Sequence, residues 1–465
     1  MIHLTINEHE RIFRLNDSAD GIPNNGRTYL KDKYFRLLEK FDRSYGSGED
    51  GVFTWYVDHV QARQWVGIIQ LPGLMLEILP KIDTGELSDN KEKRYEARKN
   101  LLYMLSISGD VPVRSRDMAK ISSRKAPLSE TLCALFANRL LSEILKGVDR
   151  SYIEKEENIR GFKGHLVLNK HLLRNAAHRE RFFCRFDDFS SDTPLNQVFK
   201  AAVTVMLGIS HMHATQDTLR NCLLAMDQVK DVAYPKNLFD KIAINRQNRR
   251  FEDLYEFSRL ILTGYSSTVS PGKKRNFSLL FDMNILFERF VAGFIQKHVI
   301  TELFQYQLFP QAIHHRRHLM QISPNRGILN LAPDILIKNP AKQFLVMDTK
   351  WKKTNGHGRT GGVKNSDLYQ LFAYTHRYGC GKSILLYPKT EDSSARDFDI
   401  LDDTDTPCGK QVCVRFVDLN RNLYSEVERV RLTQELKKIV EDGFELYQKD
   451  NGVEPEVLYA LTGRV

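Results

Sequence analysis

The sequence predicts an α/β protein with a small β-rich N-terminal domain, a helical middle region and a C-terminal mixed sheet flanked by helices. Three observations support this class. Residues 1–90 mix short strand-like stretches with turns, apolar residues recur at helical spacing in the middle, and helical and strand-like segments alternate towards the C-terminus. At 465 residues the chain exceeds the usual size of one hydrophobic core, so we expect two or three domains.

Composition indicates a folded protein with an anionic partner. Hydrophobic residues make up 42% of the chain and charged residues 27%, which excludes an intrinsically disordered protein. With 68 Lys and Arg against 58 Asp and Glu, the formal net charge is +10, which favours nucleic acid as the partner. Charge alone leaves open the alternative of a basic protein that binds no polyanion.

The chain shows no sign of a membrane or secreted protein. No apolar run approaches the roughly 20 residues that cross a bilayer, and the N-terminus lacks the basic and then apolar layout of a signal peptide. The six cysteines are scattered and form no C-x-x-C motif. We therefore expect a cytoplasmic protein with reduced cysteines.

The N-terminal domain is predicted to span residues 1–90. Three segments, 54–57, 65–69 and 74–79, are rich in β-branched, aromatic or aliphatic residues and predict strands. The Pro72-Gly73 dipeptide between the last two predicts a turn.

The middle region, residues 91–263, is predicted to be helical. Pro194 follows a polar cap sequence and predicts the start of a helix there. Residues 264–276 are polar, basic and rich in helix breakers, so they form the predicted linker to a C-terminal domain at 277–465. The apolar positions at helical spacing include Leu101, Leu102, Met104, Leu105, Leu132, Leu135, Phe136, Leu140 and Leu141.

The C-terminal domain is predicted to contain a helix, three strands, a helix, two strands and a final helix. In that order, the predicted bounds are 282–300, 312–323, 328–338, 343–351, 365–378, 383–387, 411–418 and 426–448.

Two acids and a lysine lie at the ends of two consecutive apolar strands. Asp334 precedes one strand, whereas Asp348 and Lys350 end the next and share one face because side chains alternate along a strand. Asp334 joins them only if an antiparallel pairing places it directly opposite Asp348, with an odd-length loop around 339–343. A slip of one residue would turn Asp334 to the other face.

This constellation suits metal-assisted hydrolysis of phosphodiester bonds. Mg²⁺ is usually held by one or two carboxylates together with water and phosphate oxygens. We predict Asp334 and Asp348 as ligands, with the backbone carbonyl of Thr349 as a further one, and we expect Mn²⁺ to substitute for Mg²⁺. Lys350 is predicted to orient the nucleophile or stabilise the developing negative charge. The alternative is a pair of strand-end carboxylates that bind only Lys350.

Two helices supply further candidates. Glu288 lies beside the apolar stripe of the first C-terminal helix, where it would reach a water-coordinated metal; the alternative is an exposed helix residue. Gln370 and Tyr374 are four residues apart on one helical face and are predicted to brace the site or a DNA strand. A core aromatic is the alternative for Tyr374.

Basic residues around these strands are predicted to contact DNA phosphates. They belong to the end of the lysine strand, to the Gly-rich loop 356–362 and its exit, and to a run of His and Arg before Asp334. The alternatives are an ordinary surface loop and a solvated strand edge. The predicted contacts are Lys352, Lys353, Arg359, Lys364, Arg316 and Arg317.

A phosphate-binding P-loop is excluded. Gly381-Lys382-Ser383 matches the end of that motif, but the position five before Gly381 is His376, and the preceding segment is predicted as helix. We therefore expect any nucleotide hydrolysis to occur on another polypeptide.

Several blocks of the sequence resemble the McrC family, the nuclease subunits of McrBC modification-dependent restriction systems. The C-terminal blocks are Asp282 to Val291, Pro333-Asp334-Ile335, Met347 to Lys352, and Gln370 with Tyr374. The upstream blocks are Gly73 to Ile82, Arg160 to Gly164, Asp187 to Asn196, and Arg249 to Leu254.

The resemblance implies a PD-(D/E)xK restriction-endonuclease-like fold with Asp334, Asp348 and Lys350 as its motif residues. It implies a Mg²⁺-dependent endonuclease that cleaves double-stranded DNA in defence against foreign DNA. It also implies a separate AAA+ GTPase motor, McrB, onto which the nuclease docks and whose hydrolysis it stimulates through its N-terminal region. In that family the motor recognises modified cytosine.

Two other functions remain open from the sequence. The first is a repair nuclease or exonuclease of the same fold that needs no motor. The second is a non-catalytic adaptor that stimulates the partner GTPase while its own nuclease site is idle.

Overall fold

The structure is a computed structural model with two compact units. The predicted α/β class is confirmed, because helices and mixed sheets are both present. None of the described helices is long and apolar enough to span a membrane. Among the described residues, the first unit contains 1–81, 91–102 and 110–282, and the second contains 103–109 and 283 onwards. The described residues are 1–16, 27–46, 51–81, 91–112, 126–232, 236–266, 276–323, 326–354 and 356–445.

The first unit begins with short strands and one helix and continues into a helix-rich part. The N-terminal elements are β1 (Ile2–Asn7), β2 (Arg11–Leu15), β3 (Thr28–Lys31), α1 (Asp32–Tyr45), β4 (Phe53–Trp55), β5 (His59–Ala62), β6 (Trp65–Leu71) and β7 (Leu74–Leu79). The later elements are α2 (Lys91–Ser108), α3 (Leu128–Ile144), β8 (Ser151–Ile159), β9 (His165–Leu166), α4 (Leu168–Asn175), β10 (Phe182–Ser190), α5 (Pro194–Ile209), α6 (His213–Ala225), α7 (Lys236–Phe239), α8 (Glu252–Ser266) and β11 (Phe277–Asp282). Residues 103–108 of α2 belong to the second unit.

The β-rich part contains two four-stranded sheets that share one core. Their strand orders are β1-β7-β6-β11 and β3-β2-β5-β4. Ile12, Phe35 and Ile69 are among the buried residues that join the two sheets to α1. β6 and β7 form a hairpin across Pro72 and Gly73, and Gly73 has a φ of +82°, which glycine adopts at little cost. The strands predicted at 65–69 and 74–79 are confirmed as β6 and β7, and the one predicted at 54–57 overlaps β4 in its first two residues.

Strand β11 completes the first sheet although it lies far along the chain. It pairs antiparallel with β6, from Phe277 opposite Gln70 to Asp282 opposite Trp65. The predicted C-terminal domain starts at 277, whereas the second compact unit resumes at Met283. Of the predicted linker, residues 264–266 are helical, and residues 267–275 lie outside the described residues. The division at 90, 263 and 276 stays a prediction.

Four helices of the middle region, α3, α5, α6 and α8, pack against one another through apolar side chains. Phe136 and Phe257 meet at right angles with ring centroids 5.4 Å apart. The helix start predicted at Pro194 is confirmed: Pro194 opens α5, and the hydroxyl of Thr193 accepts a hydrogen bond from the backbone N–H of Asn196 at 3.3 Å.

A three-stranded sheet interrupts the helical middle region, which the sequence does not predict. β10 pairs with β8 along nine residues and with β9 along two. Most side chains of β8 are exposed or half-buried on both faces, so the segment lacks the apolar alternation that marks a half-buried strand.

The second unit contains a six-stranded mixed sheet, a separate hairpin and flanking helices. Its elements are α9 (Met283–Phe294), which continues as a π-helical turn (Ile295–Val299), β12 (Gln307–Pro310), β13 (Arg317–Ser323), β14 (Arg326–Leu331), β15 (Ile335–Lys338), β16 (Phe344–Thr349), α10 (Asn365–Tyr378), β17 (Lys382–Pro388), β18 (Arg396–Leu401), β19 (Pro407–Val417) and α11 (Glu426–Phe444).

The strand order of the six-stranded sheet is β12-β15-β16-β17-β19-β18, and among the described strands β13 pairs with β14 alone. β16, β17 and β19 are parallel, and the remaining neighbours are antiparallel. Val346 and Leu385 pack with Leu371 of α10 on one face. Leu345 points to the other face, where Gly443 of α11 lies against it.

The predicted elements of this unit are largely confirmed. α10 has the predicted bounds, and β15, β16, β17, β19 and α11 overlap their predictions. The segment predicted as one strand at 328–338 is two strands, separated by residues 332–334. Strands β12 and β18 were not predicted; both are edge strands with few buried residues.

The Gly-rich loop 356–362 is held by an arginine from strand β18. The guanidinium of Arg396 donates hydrogen bonds of 3.0 Å to the carbonyls of Gly356, Gly358 and Arg359. Gly361 has a φ of +65°, and a Cβ there would lie 2.8 Å from Arg396 Nε. The loop is therefore ordered by its contacts with Arg396.

Replacing Arg396 with Ala should loosen this loop without unfolding the protein. Each lost hydrogen bond contributes about 0.5–1.5 kcal/mol, so we expect amide exchange in 356–362 to accelerate about tenfold or more. Hydrogen–deuterium exchange by mass spectrometry measures this. Arg431→Ala, which removes an exposed arginine paired with Glu428 on α11, is the matched control. Unchanged exchange in 356–362 would show that Arg396 does not order the loop.

Candidate functional site

The site is built on two central strands whose apolar residues fix their position. Ile335, Leu336 and Ile337 of β15 are fully buried, as are Leu345 and Val346 of β16. Such runs are typical of strands covered on both faces. The polar residues that follow are thereby brought to the end of the sheet.

The predicted register is confirmed. Ile335 pairs with Met347 and Lys338 with Phe344, so the pairing continues to place Asp334 opposite Asp348. The connection is the five-residue loop 339–343, closed by a hydrogen bond of 3.1 Å from the backbone N–H of Asn339 to the carbonyl of Gln343. Both aspartates therefore belong to the face of the sheet that α10 covers.

Asp348 is fully buried and forms an ion pair with Lys350. The Nζ of Lys350 lies 2.5 Å from Oδ2 of Asp348. Oδ1 of Asp348 is buried and accepts no hydrogen bond from the described residues. Such an atom is costly to bury, so it marks a place where a further ligand would be stabilised.

Asp334 is held by the residue that follows Asp348. Both the backbone N–H and the hydroxyl of Thr349 donate to Oδ2 of Asp334, each at 2.7 Å. Thr349 therefore orients Asp334 through its donors, whereas its predicted role as a carbonyl ligand stays a prediction.

Glu288, on helix α9, lies close enough to Asp334 and Lys350 for their charges to act on its carboxylate. The apolar stripe of that helix, which includes Leu286 and Phe287, is buried and leaves Glu288 half-buried beside it. The side-chain amide of Gln311 donates to Oε1 of Glu288 at 3.1 Å, and the backbone N–H of Gln311 donates to the carbonyl of Asp334 at 2.7 Å. Gln311 thus connects the two acids.

Burial raises the pKa values of all three acids. The pKa of Asp348 rises to about 7, because burial disfavours its charged form and the nearby Asp334 carboxylate repels it, while Lys350 acts in the opposite direction. The pKa of Asp334 is raised by burial in spite of its hydrogen bonds from Thr349. Burial and then Asp334 raise the pKa of Glu288.

Lys350 stays charged in this setting. Burial alone would lower its pKa, but the carboxylates of Asp348 and Asp334 outweigh that effect and raise it. One ammonium therefore faces two crowded carboxylates, and the group retains an excess of negative charge when both are ionised.

Gln370 and Tyr374 of α10 form a pair beside the aspartates. The side-chain amide of Gln370 donates to the hydroxyl of Tyr374 at 2.9 Å. Burial raises the pKa of Tyr374 to about 12, and the charges of Asp348 and Asp334 add to the rise although the Gln370 hydrogen bond opposes it. Tyr374 is buried and packs with the core, as the alternative holds, and its role in bracing the site or a DNA strand stays a prediction.

These residues fit a divalent cation. The orphaned Oδ1 of Asp348 and the raised pKa values of two neighbouring aspartates describe a place that positive charge would stabilise. Within the described ranges, no three His, Cys, Asp or Glu side chains form a ready metal cluster. Two acids suffice for Mg²⁺, which keeps several waters.

The predicted DNA contacts on the lysine strand and the Gly-rich loop lie at the surface. Lys352 is exposed, and its Nζ is 3.5 Å from the carboxylate of Asp367. Lys353, Arg359 and Lys364 are exposed as well. Their roles as phosphate contacts stay predictions.

Arg316 and Arg317 differ in their surroundings. Arg316 is exposed, with a long hydrogen bond of 3.3 Å to the carbonyl of Gln311. Arg317 is half-buried, lies 5.0 Å from the ring centroid of Tyr378, and donates to the carbonyl of Arg377. Arg317 therefore has a packing role at the base of the β13–β14 hairpin.

Two residues beside the acids were not predicted from the sequence. Asp367 is buried in the first turn of α10, accepts a hydrogen bond from Tyr387 at 3.3 Å, and adds to the negative charge around Asp348 and Lys350. Its spacing from Gln370 and Tyr374, three and seven residues, was a usable signal. No local pattern marks Gln311, whose φ of +48° belongs to an irregular turn.

Comparison with known proteins gives matches of two kinds. A family model described as the McrBC 5-methylcytosine restriction system component matches residues 60–388. Among solved structures, a chain of the refined half-complex from the tetradecameric assembly of Thermococcus gammatolerans McrB AAA+ hexamers with bound McrC is 19% identical, with a TM-score of 0.69. That match covers 94% of this chain and 100% of the other.

A chain of the cryo-EM structure of the Thermococcus gammatolerans McrBC complex is 22% identical, with a TM-score of 0.49, over 64% of this chain and 88% of that one. A search of curated proteins finds no match. The half-complex shows a shared fold, and the family model covers well over half of the sequence. The chain therefore belongs to the McrBC 5-methylcytosine restriction system component family, as its resemblance to McrC sequences predicts.

Proposed function

We propose that this protein is the Mg²⁺-dependent DNA endonuclease subunit of a McrBC-like restriction system, with a nuclease domain of the PD-(D/E)xK type. The observation that carries the proposal is the juxtaposition of Asp334, Asp348 and Lys350 at adjacent strand ends, with Oδ1 of Asp348 buried and without a hydrogen-bond partner among the described residues.

In this proposal Asp334 and Asp348 hold the metal. When bound, Mg²⁺ supplies an activated water and offsets negative charge on the scissile phosphate. The two hydrogen bonds from Thr349 hold the carboxylate of Asp334 in one orientation, so the ligand geometry is set before the metal arrives. Asp367 and Glu288 surround the pair with further negative charge.

Lys350 is the cation that this chain contributes to the reaction. It neutralises Asp348 in the free protein, and its raised pKa keeps it protonated. An ammonium in this position orients the attacking water or stabilises charge that develops on the phosphate. Tyr374, fixed by Gln370, is a hydroxyl donor beside the same carboxylates.

The partner in this proposal is an AAA+ GTPase of the McrB type. The Thermococcus gammatolerans assembly contains McrB AAA+ hexamers with bound McrC, and this chain matches the whole of the chain compared. We propose that the N-terminal region docks on the motor and stimulates its hydrolysis, and that the exposed cations Lys352, Lys353, Arg359 and Lys364 bind double-stranded DNA.

Asp348→Asn should abolish DNA cleavage and leave the fold intact. The amide cannot serve as a negatively charged ligand, so we expect the cleavage rate to fall at least about a hundredfold, measured with the cognate GTPase, GTP and Mg²⁺. The matched control is Asp403→Asn, which alters an exposed acid of the same unit. Cleavage by Asp348→Asn at the control rate, from a preparation free of other nucleases, would refute the site.

Mg²⁺ should raise the melting temperature of the wild-type chain in the absence of DNA. At ten times the dissociation constant, binding to the folded state contributes about 1.4 kcal/mol, a shift of roughly 3–6 °C for units of this size. Differential scanning calorimetry against NaCl of equal ionic strength measures the shift. Asp334→Asn/Asp348→Asn should show no such shift, and an equal shift in that variant would place the ion elsewhere.

Stimulation of the partner GTPase should survive loss of the nuclease site. Because the stimulating surface is proposed to lie in the N-terminal region, Asp348→Asn and Lys350→Ala should stimulate GTP hydrolysis as well as the wild type does. Phosphate release by the cognate GTPase with and without each variant tests this. A loss of stimulation in variants with unchanged melting temperature would mean that the two activities share residues.

A further inference from the structure

Residues 312–333 leave the sheet beside the candidate site and return to the same point. They follow β12 and end immediately before Asp334, and the backbone hydrogen bond from Gln311 to the carbonyl of Asp334 joins the two ends. Most of this segment is the hairpin of β13 and β14. A molecule that binds to the hairpin is therefore held at a defined position relative to Asp334.

The base of the hairpin is fixed to helix α10. The guanidinium of Arg377 donates to the carbonyl of His318 at 2.7 Å, and the hydroxyl of Tyr378 donates to the carbonyl of Leu331 at 3.2 Å. Arg317 packs over the buried Tyr378 ring. These contacts restrain the first residues of β13 and the last residue of β14.

Beyond the base, the hairpin presents aliphatic side chains to solvent. Arg317 and Leu331 pair on the inward face, so alternation turns Met320 outward, and Ile322 lies at a β-bulge between Gln321 and Ser323. Met320 is 58% exposed and Ile322 is 64% exposed, and Ile328, the cross-strand partner of Met320, is half-buried beside it. Adjacent exposed aliphatic residues on a projecting hairpin are typical of a contact surface.

The charge around these side chains is positive. No Asp or Glu occurs from residue 303 to residue 333, whereas the same stretch contains three arginines and three histidines. Arg326 and His318 are exposed on the hairpin itself. A surface without acids, joined to a site proposed to cleave phosphodiesters, is complementary to a nucleic acid backbone. A second copy of this surface would be repelled, since a symmetric contact would bring like charges together.

We propose that the described strands of the β13–β14 hairpin bind the DNA duplex next to the scissile phosphate. Arg326 contacts the phosphate backbone, and Met320 and Ile322 enter the minor groove as an aliphatic wedge, as apolar side chains do in proteins that deform DNA. The inference rests on the proposed nuclease function and adds to it an element that positions the duplex against Asp334 and Asp348.

The test uses the full-length chain with Asp348→Asn, so that bound DNA stays intact. Met320→Glu/Ile322→Glu is added to that background and compared with Val427→Glu/Val430→Glu on α11, where the two valines are 60% and 50% exposed. Fluorescence anisotropy with labelled duplex DNA, with and without the cognate GTPase, gives the affinity. We expect the hairpin variant to bind at least about tenfold more weakly and the control to bind as the parent does.

Met320→Ala/Ile322→Ala tests the wedge without adding charge. In duplexes that carry 2-aminopurine, the parent should increase the fluorescence by unstacking a base step, and the alanine variant should lose that increase. Melting temperatures of all variants should agree with that of the parent, because the altered side chains are exposed.

Three outcomes would overturn the inference. The first is equal DNA affinity of the hairpin and control variants. The second is that the hairpin substitutions convert a dimeric parent to a monomer without changing its DNA affinity, which would make the hairpin a contact between copies. If either of these results is found while Asp348→Asn abolishes cleavage in the same preparations, the hairpin assignment fails and the proposed nuclease function stands. If the wild type neither binds nor cuts duplex DNA, the proposed function fails with it.

Discussion

The proposed chemistry of the second unit depends on the register in which β15 pairs with β16. Because the side-chain period of a strand is two, this register alone puts Asp334 and Asp348 on one face, and the buried apolar residues of both strands resist any slip. The register also forces two carboxylates into surroundings that disfavour their charge. Lys350 offsets part of that electrostatic cost, and a bound cation would offset the rest.

The same end of the sheet connects the acids to the surrounding loops. Gln311 donates hydrogen bonds to both Glu288 and the backbone of Asp334, so one turn links helix α9, the start of strand β15 and the start of the hairpin segment. Arg396, on the edge strand β18, orders the Gly-rich loop that follows β16. Rigid strands thus carry the proposed metal ligands, while the loops and turns around them carry exposed cations.

Burial explains which elements of the fold could be predicted from the sequence. α10 and the strands that carry Asp334 and Asp348 were predicted closely, because buried elements impose apolar periodicity on the chain. Strand β8 was missed because both its faces are largely exposed, so its side chains record no period. Gln311 was missed for another reason: an irregular turn with positive φ depends on the packing of the folded unit, which neighbouring residues do not reveal.

Strand β11 has a consequence for the order in which the protein is made. Its partner β6 ends at Leu71, but the strand that covers the open edge of β6 is complete only at Asp282. At ordinary rates of translation, roughly 10–40 s separate the synthesis of the two strands. During that interval a nascent chain exposes the unpaired edge of β6, a template for aggregation, so ribosome-associated chaperones have a natural substrate in the unfinished N-terminal sheet.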